Sequence, residues 1–121
     1  VSFIGSHYSS RPRDLAKLIG AAMDHRGFSI VHVQSPCTTY NDTFDLLKGN
    51  KKLGIAPLVY AIPEDHDPND KRAAEEIARA PGVPLGIIYR EECPTLEDLQ
   101  EDVRKKARSR TAAEMVETYS L

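Results

Sequence analysis

An α/β fold with helices covering a sheet is predicted by two observations. A one-faced helical pattern over Leu15, Leu18, Ile19, Ala22 and Met23 stops at Gly27 and runs straight into "FSIVHV", Phe28 to Val33, a strand apolar on both faces. The same alternation returns further on, where a charged helical segment ends at Pro81-Gly82 and "VPLGIIY" follows. Helix, glycine, apolar strand is the grammar of a doubly wound layer.

The elements follow in order. "VSFIGSHYSS" opens on a short apolar strand with no initiator methionine, which marks the chain as a fragment or processed piece of a larger fold. The first helix starts near Ser10 to Pro12, where proline suits the first helical position. After the "FSIVHV" strand, "TFDLLKG" gives a short helix closed by Gly49, and "APLVYAIP" an extended apolar segment. In "PEDHDPNDKRAAEEIARAPG", Asp67 caps a helix, Pro68 takes its first position and Asp70 closes the first turn. "CPTLEDLQEDVRKKARSR" starts a helix at Thr95 with Asp98 three residues on, and carries a narrow stripe of Leu96, Leu99 and Val103. The tail after Arg110 adds a further helical turn or two.

Composition excludes several classes of function. The 121 residues are 40% hydrophobic and 28% charged, enough for one modest core and too structured for a disordered chain. A formal net charge of -2 gives no global attraction to nucleic acid or anionic lipid. No apolar run reaches the roughly 20 residues of a membrane span, and no basic-then-apolar leader opens the chain. The two cysteines, Cys37 and Cys93, read as reduced thiols of a cytoplasmic protein.

Few residue groups carry chemistry. Glu64, Asp65, His66, Asp67 and Asp70 would suit a hard divalent metal, but acids at a helix start also satisfy free amides and the dipole, which explains them better. The basic run Arg104, Lys105, Lys106, Arg108 and Arg110 alternates with acids and lacks aromatics, so a solvated face or a contact between subunits explains it better than nucleic acid. "GSHYSSRP" at a helix start is a weak anion-site candidate. Cys37 stands a few residues past a strand's carboxyl end, stiffened by Pro36, where ligands collect in open α/β sheets. It is readable as a small buried side chain, a nucleophile, a redox group or a metal ligand, and the residues alone leave these open. A Cys-His hydrolytic site with His7, His25, His32 or His66 has no spacing in its favour.

"HRGFSIVHVQSPCTTYN", "YAIPEDHDPNDKRAAEEIA" and "VPLGIIYREECPTLE" resemble the C-terminal part of the β subunit of 2-oxoacid:ferredoxin oxidoreductases, most like the 2-oxoglutarate type. The resemblance runs from about Phe3 to about Leu99, strongest in "SPCTTYN", Ser35 to Asn41, and "PEDHDPND", Pro63 to Asp70. It implies the C-terminal portion of a doubly wound thiamine-diphosphate-binding domain over residues 1–42 and a C-terminal extension over 43–121. It also implies that Cys37 is one ligand of a four-iron four-sulfur cluster, with Ser35, Thr38, Thr39, Asn41 and His66 as supporting polar groups and Cys93 structural.

Thiamine diphosphate, Mg2+ and the cluster belong to the complete enzyme, with an α subunit, ferredoxin, coenzyme A and a 2-oxoacid as partners. The family's Cys-x-x-Cys ligands and its Gly-Asp-Gly element with a downstream Asn are not in this sequence, so the piece is expected to be inactive alone. Two other classes are carried beside this one: a noncatalytic α/β interaction module without cofactors, and a small Cys-dependent enzyme.

Overall fold

A computed structural model describes residues 1–108 and 111–119. The strand β1 (Phe3–Tyr8) is followed by α1 (Pro12–Asp24) and β2 (Ser29–Gln34). Then come α2 (Phe44–Lys48), a 3₁₀ turn at Lys51–Leu53, β3 (Val59–Ala61) and α3 (Lys71–Arg79). The strand β4 (Val83–Arg90) and the helices α4 (Leu96–Arg108) and α5 (Ala112–Glu117) complete the chain, α5 supplying the helical turns expected after Arg110, which itself lies outside the described residues.

The α/β class holds, with a mixed sheet in the order β2-β1-β4-β3. The unit β1-α1-β2 is a parallel crossover in which Phe3 faces Ser29 and Tyr8 faces Gln34. On its other side β1 meets β4 antiparallel, with an irregularity between Ile4 and Gly5, and β4 meets β3 in parallel. The β1-β4 pair therefore joins the β1-α1-β2 unit to the β3-α3-β4 segment.

One expectation is corrected. The run "FSIVHV" is not enclosed: β2 is an edge strand of this chain, with Ile30 42% and Val33 37% exposed. Its apolar character on both faces describes a strand meant for cover, and among the described residues β1 and α1 are the elements packed against it most.

Packing explains the helix positions. Pro12 starts α1, and Leu18, its buried residue, lies so close to β1 that a Cβ on Gly5 would stand 2.8 Å from Leu18 Cδ1. Phe3 is fully buried, its ring centroid 5.5 Å from that of His25. At the other end of the sheet Tyr8, Leu47, Val59, Val83 and Leu85 form a second buried cluster.

The start of α3 falls three residues later than the Asp67-Pro68 signal suggests. Arg90 N–H donates to the Pro68 carbonyl at 2.8 Å, so Pro68 is held against β4 and cannot open the helix. Asp70 caps instead, accepting from the amides of Arg72 and Ala73, while Asp67 accepts from the amide and side chain of Asn69. The α4 start is as expected: Thr95 and Asp98 form a reciprocal capping box, and Arg26 pairs with Asp98. No helix among the described residues is long and apolar enough to cross a membrane.

Candidate functional site

The loop after β2 is a closed turn. Cys37 N–H donates to the Asn41 carbonyl at 3.1 Å and Asn41 N–H to the Cys37 carbonyl at 2.9 Å, so Thr38, Thr39 and Tyr40 cross between two paired ends. Cys37 is exposed, which removes the possibility of a thiol buried for packing. Hydrogen bonds from the backbone of Tyr40, then Thr39, hold its thiol below the ordinary value, helped by Asn41 and opposed by partial desolvation and the Asp42 charge. The amides of the turn therefore favour the thiolate form of Cys37 more than in an ordinary cysteine.

Those amides are not legible as residue types, since any residue can supply one. What a "CTTYN" stretch does disclose is a turn short enough to fold its own amides back on the first side chain. Ser35, Thr38 and Asn41 all lie in or beside this turn and are exposed. His66 does not join them. Its Nε2 donates to the Ile88 carbonyl at 2.9 Å, level with Ile4 and Gly5 of β1, whereas Cys37 lies past Gln34, level with Tyr8. His66 fastens the "PEDHDPND" loop to β4. Replacing it by Ala leaves a backbone carbonyl without its donor and is expected to destabilise the folded chain by about 1 kcal/mol, read from urea unfolding of the intact subunit.

Cys93 stands at the opposite end of the sheet. It lies two residues past Glu91, whose N–H donates to the Ser2 carbonyl, at the start of β1, while Cys37 lies beyond the end of β2. Six strand residues separate those two levels, about 20 Å at roughly 3.3 Å each. The two thiols therefore form neither a disulfide nor two corners of one cluster within this chain. Nor are the four histidines bonded to Cys37. His25 meets Ser2 Oγ at 2.9 Å, His7 Nδ1 the Tyr8 carbonyl at 3.2 Å, His32 the Gln34 side chain and His66 the Ile88 carbonyl.

In the "PEDHDPND" loop Asp67 and Asp70 are engaged with amides, and among the described residues no three His, Cys, Asp or Glu side chains converge on a metal position. One thiolate with amide support fits a single corner of an iron-sulfur cluster, which takes four thiolates in all. In the metal-free protein, alkylation of Cys37 by iodoacetamide is expected to reach half its maximal rate at a lower pH than an unstructured cysteine peptide does. A profile coincident with the peptide's would mean that the turn's amides do not act on the sulfur.

The fold and this turn define an α/β protein that presents, at the carboxyl edge of a parallel strand pair, an exposed cysteine whose thiol pKa is lowered by backbone amides. A family model described as the C-terminal part of the pyruvate ferredoxin oxidoreductase beta subunit matches residues 37–105, more than half of the chain and starting on Cys37 itself. The chain belongs to that family. The 2-oxoacid:ferredoxin oxidoreductase subunit beta of a Sulfolobus species is 31% identical over 100 residues, which cover 75% of this chain and 32% of that one. Subunit beta of 2-oxoacid:ferredoxin oxidoreductase 2 from Aeropyrum pernix is 27% identical over 111 residues, covering 86% and 35% respectively.

The whole chain superposes with a TM-score of 0.80 and 30% identity on 41% of a chain in a solved structure. That structure is 2-oxoglutarate:ferredoxin oxidoreductase from Magnetococcus marinus with 2-oxoglutarate, coenzyme A and succinyl-CoA bound. This chain thus spans about a third of the length of those two curated relatives.

Proposed function

We propose that this chain is the C-terminal part of the β subunit of a thiamine-diphosphate-dependent 2-oxoacid:ferredoxin oxidoreductase, with 2-oxoglutarate as its 2-oxoacid. The observation that carries the proposal is the likeness of the whole chain to the Magnetococcus marinus enzyme. Residues 1–42 close the thiamine-diphosphate domain and 43–121 form the extension joined to it through the β1-β4 pairing. Partners are the α subunit and ferredoxin, with coenzyme A as second substrate. The two free thiols agree with a cytoplasmic setting.

Cys37 holds one iron of a four-iron four-sulfur cluster. Its sulfur is already favoured as thiolate by the amides of Tyr40 and Thr39, and Ser35, Thr38 and Asn41 border it as supporting polar groups. Thiamine diphosphate with Mg2+ supplies the decarboxylation chemistry and the cluster the single-electron transfers to ferredoxin. The other three thiolates and the magnesium ligands come from outside these residues. A lowered thiol pKa is also what a Cys-dependent enzyme needs. Here its cause is backbone amides, and none of the four histidines is bonded to the sulfur, which favours the ligand role.

The test is anaerobic co-expression of the complete β chain with its α partner, followed by assays of ferredoxin reduction. Reduction that requires both 2-oxoglutarate and coenzyme A is expected. A faster reaction with pyruvate would overturn the substrate, and no reduction with any 2-oxoacid would overturn the activity.

A further inference from the structure

The second feature at the carboxyl end of β1 is a cleft of about 420 Å3 lined by Tyr8, Ser10, Arg11, Phe44, Lys48, Pro57 and Val59. A protein with a net charge of -2 places two cations and no acid in this lining. Arg11 is the N-cap of the 13-residue α1, and no side chain caps that helix, so the positive end of its dipole is unanswered there. The one acid of its first turn, Asp14, is paired with Lys17 at 3.6 Å.

The opposite wall is equally fixed. Lys48 ends α2 with its Nζ 5.3 Å from the Phe44 ring centroid, and Gly49 packs so tightly on Pro57 that a Cβ would stand 2.7 Å from the Pro57 nitrogen. Between the two walls is Tyr8, 2% exposed. Its hydroxyl is buried and is the one such side-chain oxygen or nitrogen without a hydrogen-bond partner among the described residues. A buried hydroxyl left unsatisfied carries a desolvation cost that a ligand oxygen would relieve.

We propose that this cleft binds a phosphate group. A guanidinium, an ammonium, two hydroxyls and an uncapped helix start offer more donors than a carboxylate's two oxygens take up, and suit the three terminal oxygens of a phosphate. A phosphate oxygen seated against Tyr8, which lines the cleft, would give its hydroxyl the partner it lacks. The phosphate is either free in solution or carried by a nucleotide-type coenzyme, and its binding does not involve Cys37.

The experiment titrates the assembled full-length α and β subunits with inorganic phosphate by calorimetry at low ionic strength. It is repeated on Arg11→Ala, Lys48→Ala and Tyr8→Phe, then on the parent with coenzyme A as competitor. Saturable phosphate binding is expected, weakened about tenfold by either alanine substitution and measurably by Tyr8→Phe with no fall in thermal stability. Displacement by coenzyme A would assign the site to a coenzyme phosphate, and its failure to a free anion. No saturable binding would overturn the proposal. So would a Tyr8→Phe protein that is more stable yet binds phosphate as the parent does, because the hydroxyl would then be a packing defect.

Discussion

Replacing Cys37 by Ser in the complete β chain, produced anaerobically with its α partner, is expected to remove the cluster's iron, its paramagnetic signal after reduction and the reduction of ferredoxin. The effect should be large because, in the proposed reading, the change acts on a ligand itself. Even a supporting residue of a metal ligand commonly accounts for roughly 10- to 100-fold in affinity or activity, so about 100-fold is a lower bound here. The amides of Tyr40 and Thr39 stabilise negative charge on sulfur, whereas a serine hydroxyl keeps its proton at neutral pH and offers the iron a far poorer donor. Because Cys37 is exposed and outside the buried core, the circular dichroism spectrum of the variant should match that of the parent. Full iron and signal in the variant would remove Cys37 from the cluster.

Phe3→Ala should produce the largest loss of stability. Among the described residues Phe3 is the one large side chain with no exposed surface, held between β1's neighbours and the ring of His25. Emptying such a site usually lowers stability by about 3–5 kcal/mol, a large share of the roughly 5–15 kcal/mol by which domains are stable at all. Urea unfolding of the intact subunit should show the midpoint moved down with an unchanged slope. A shift below about 1 kcal/mol would mean that the neighbourhood collapses to fill the space, and that the β1-α1 layer is softer than its packing indicates.

How far the sequence discloses these features depends on the range of the forces behind them. The Pro12 start of α1, the Thr95-Asp98 cap and the Gly49 stop arise from contacts a few residues apart, and each is where its residue types place it, whereas α1 ends at Asp24 with an extended His25, short of the Gly27 stop its pattern suggests. The start of α3 departs from its local signal because the deciding bond, Arg90 N–H to Pro68, joins residues far apart in sequence. The strand run "FSIVHV" discloses its need for cover but not which of its edges this chain pairs. At the site, the position of Cys37 after a strand is legible, while the field around its sulfur is not, since it comes from main-chain amides that residues of every type but proline possess. The Tyr8 cleft is half legible: "GSHYSSRP" marks a helix start suited to anions, but the approach of Lys48 depends on how α2 folds back.

The exposed margin of β2 has a consequence for handling the molecule. A row of free main-chain donors and acceptors, flanked by Ile30 and Val33 and with Phe28 65% exposed just before it, is a template onto which another extended chain can add strand by strand. No proline interrupts Ser29–Gln34, and the strand carries no lysine, arginine or acid to deter such pairing. Produced by itself, this polypeptide should therefore clump in a concentration-dependent way, read from light scattering against protein concentration.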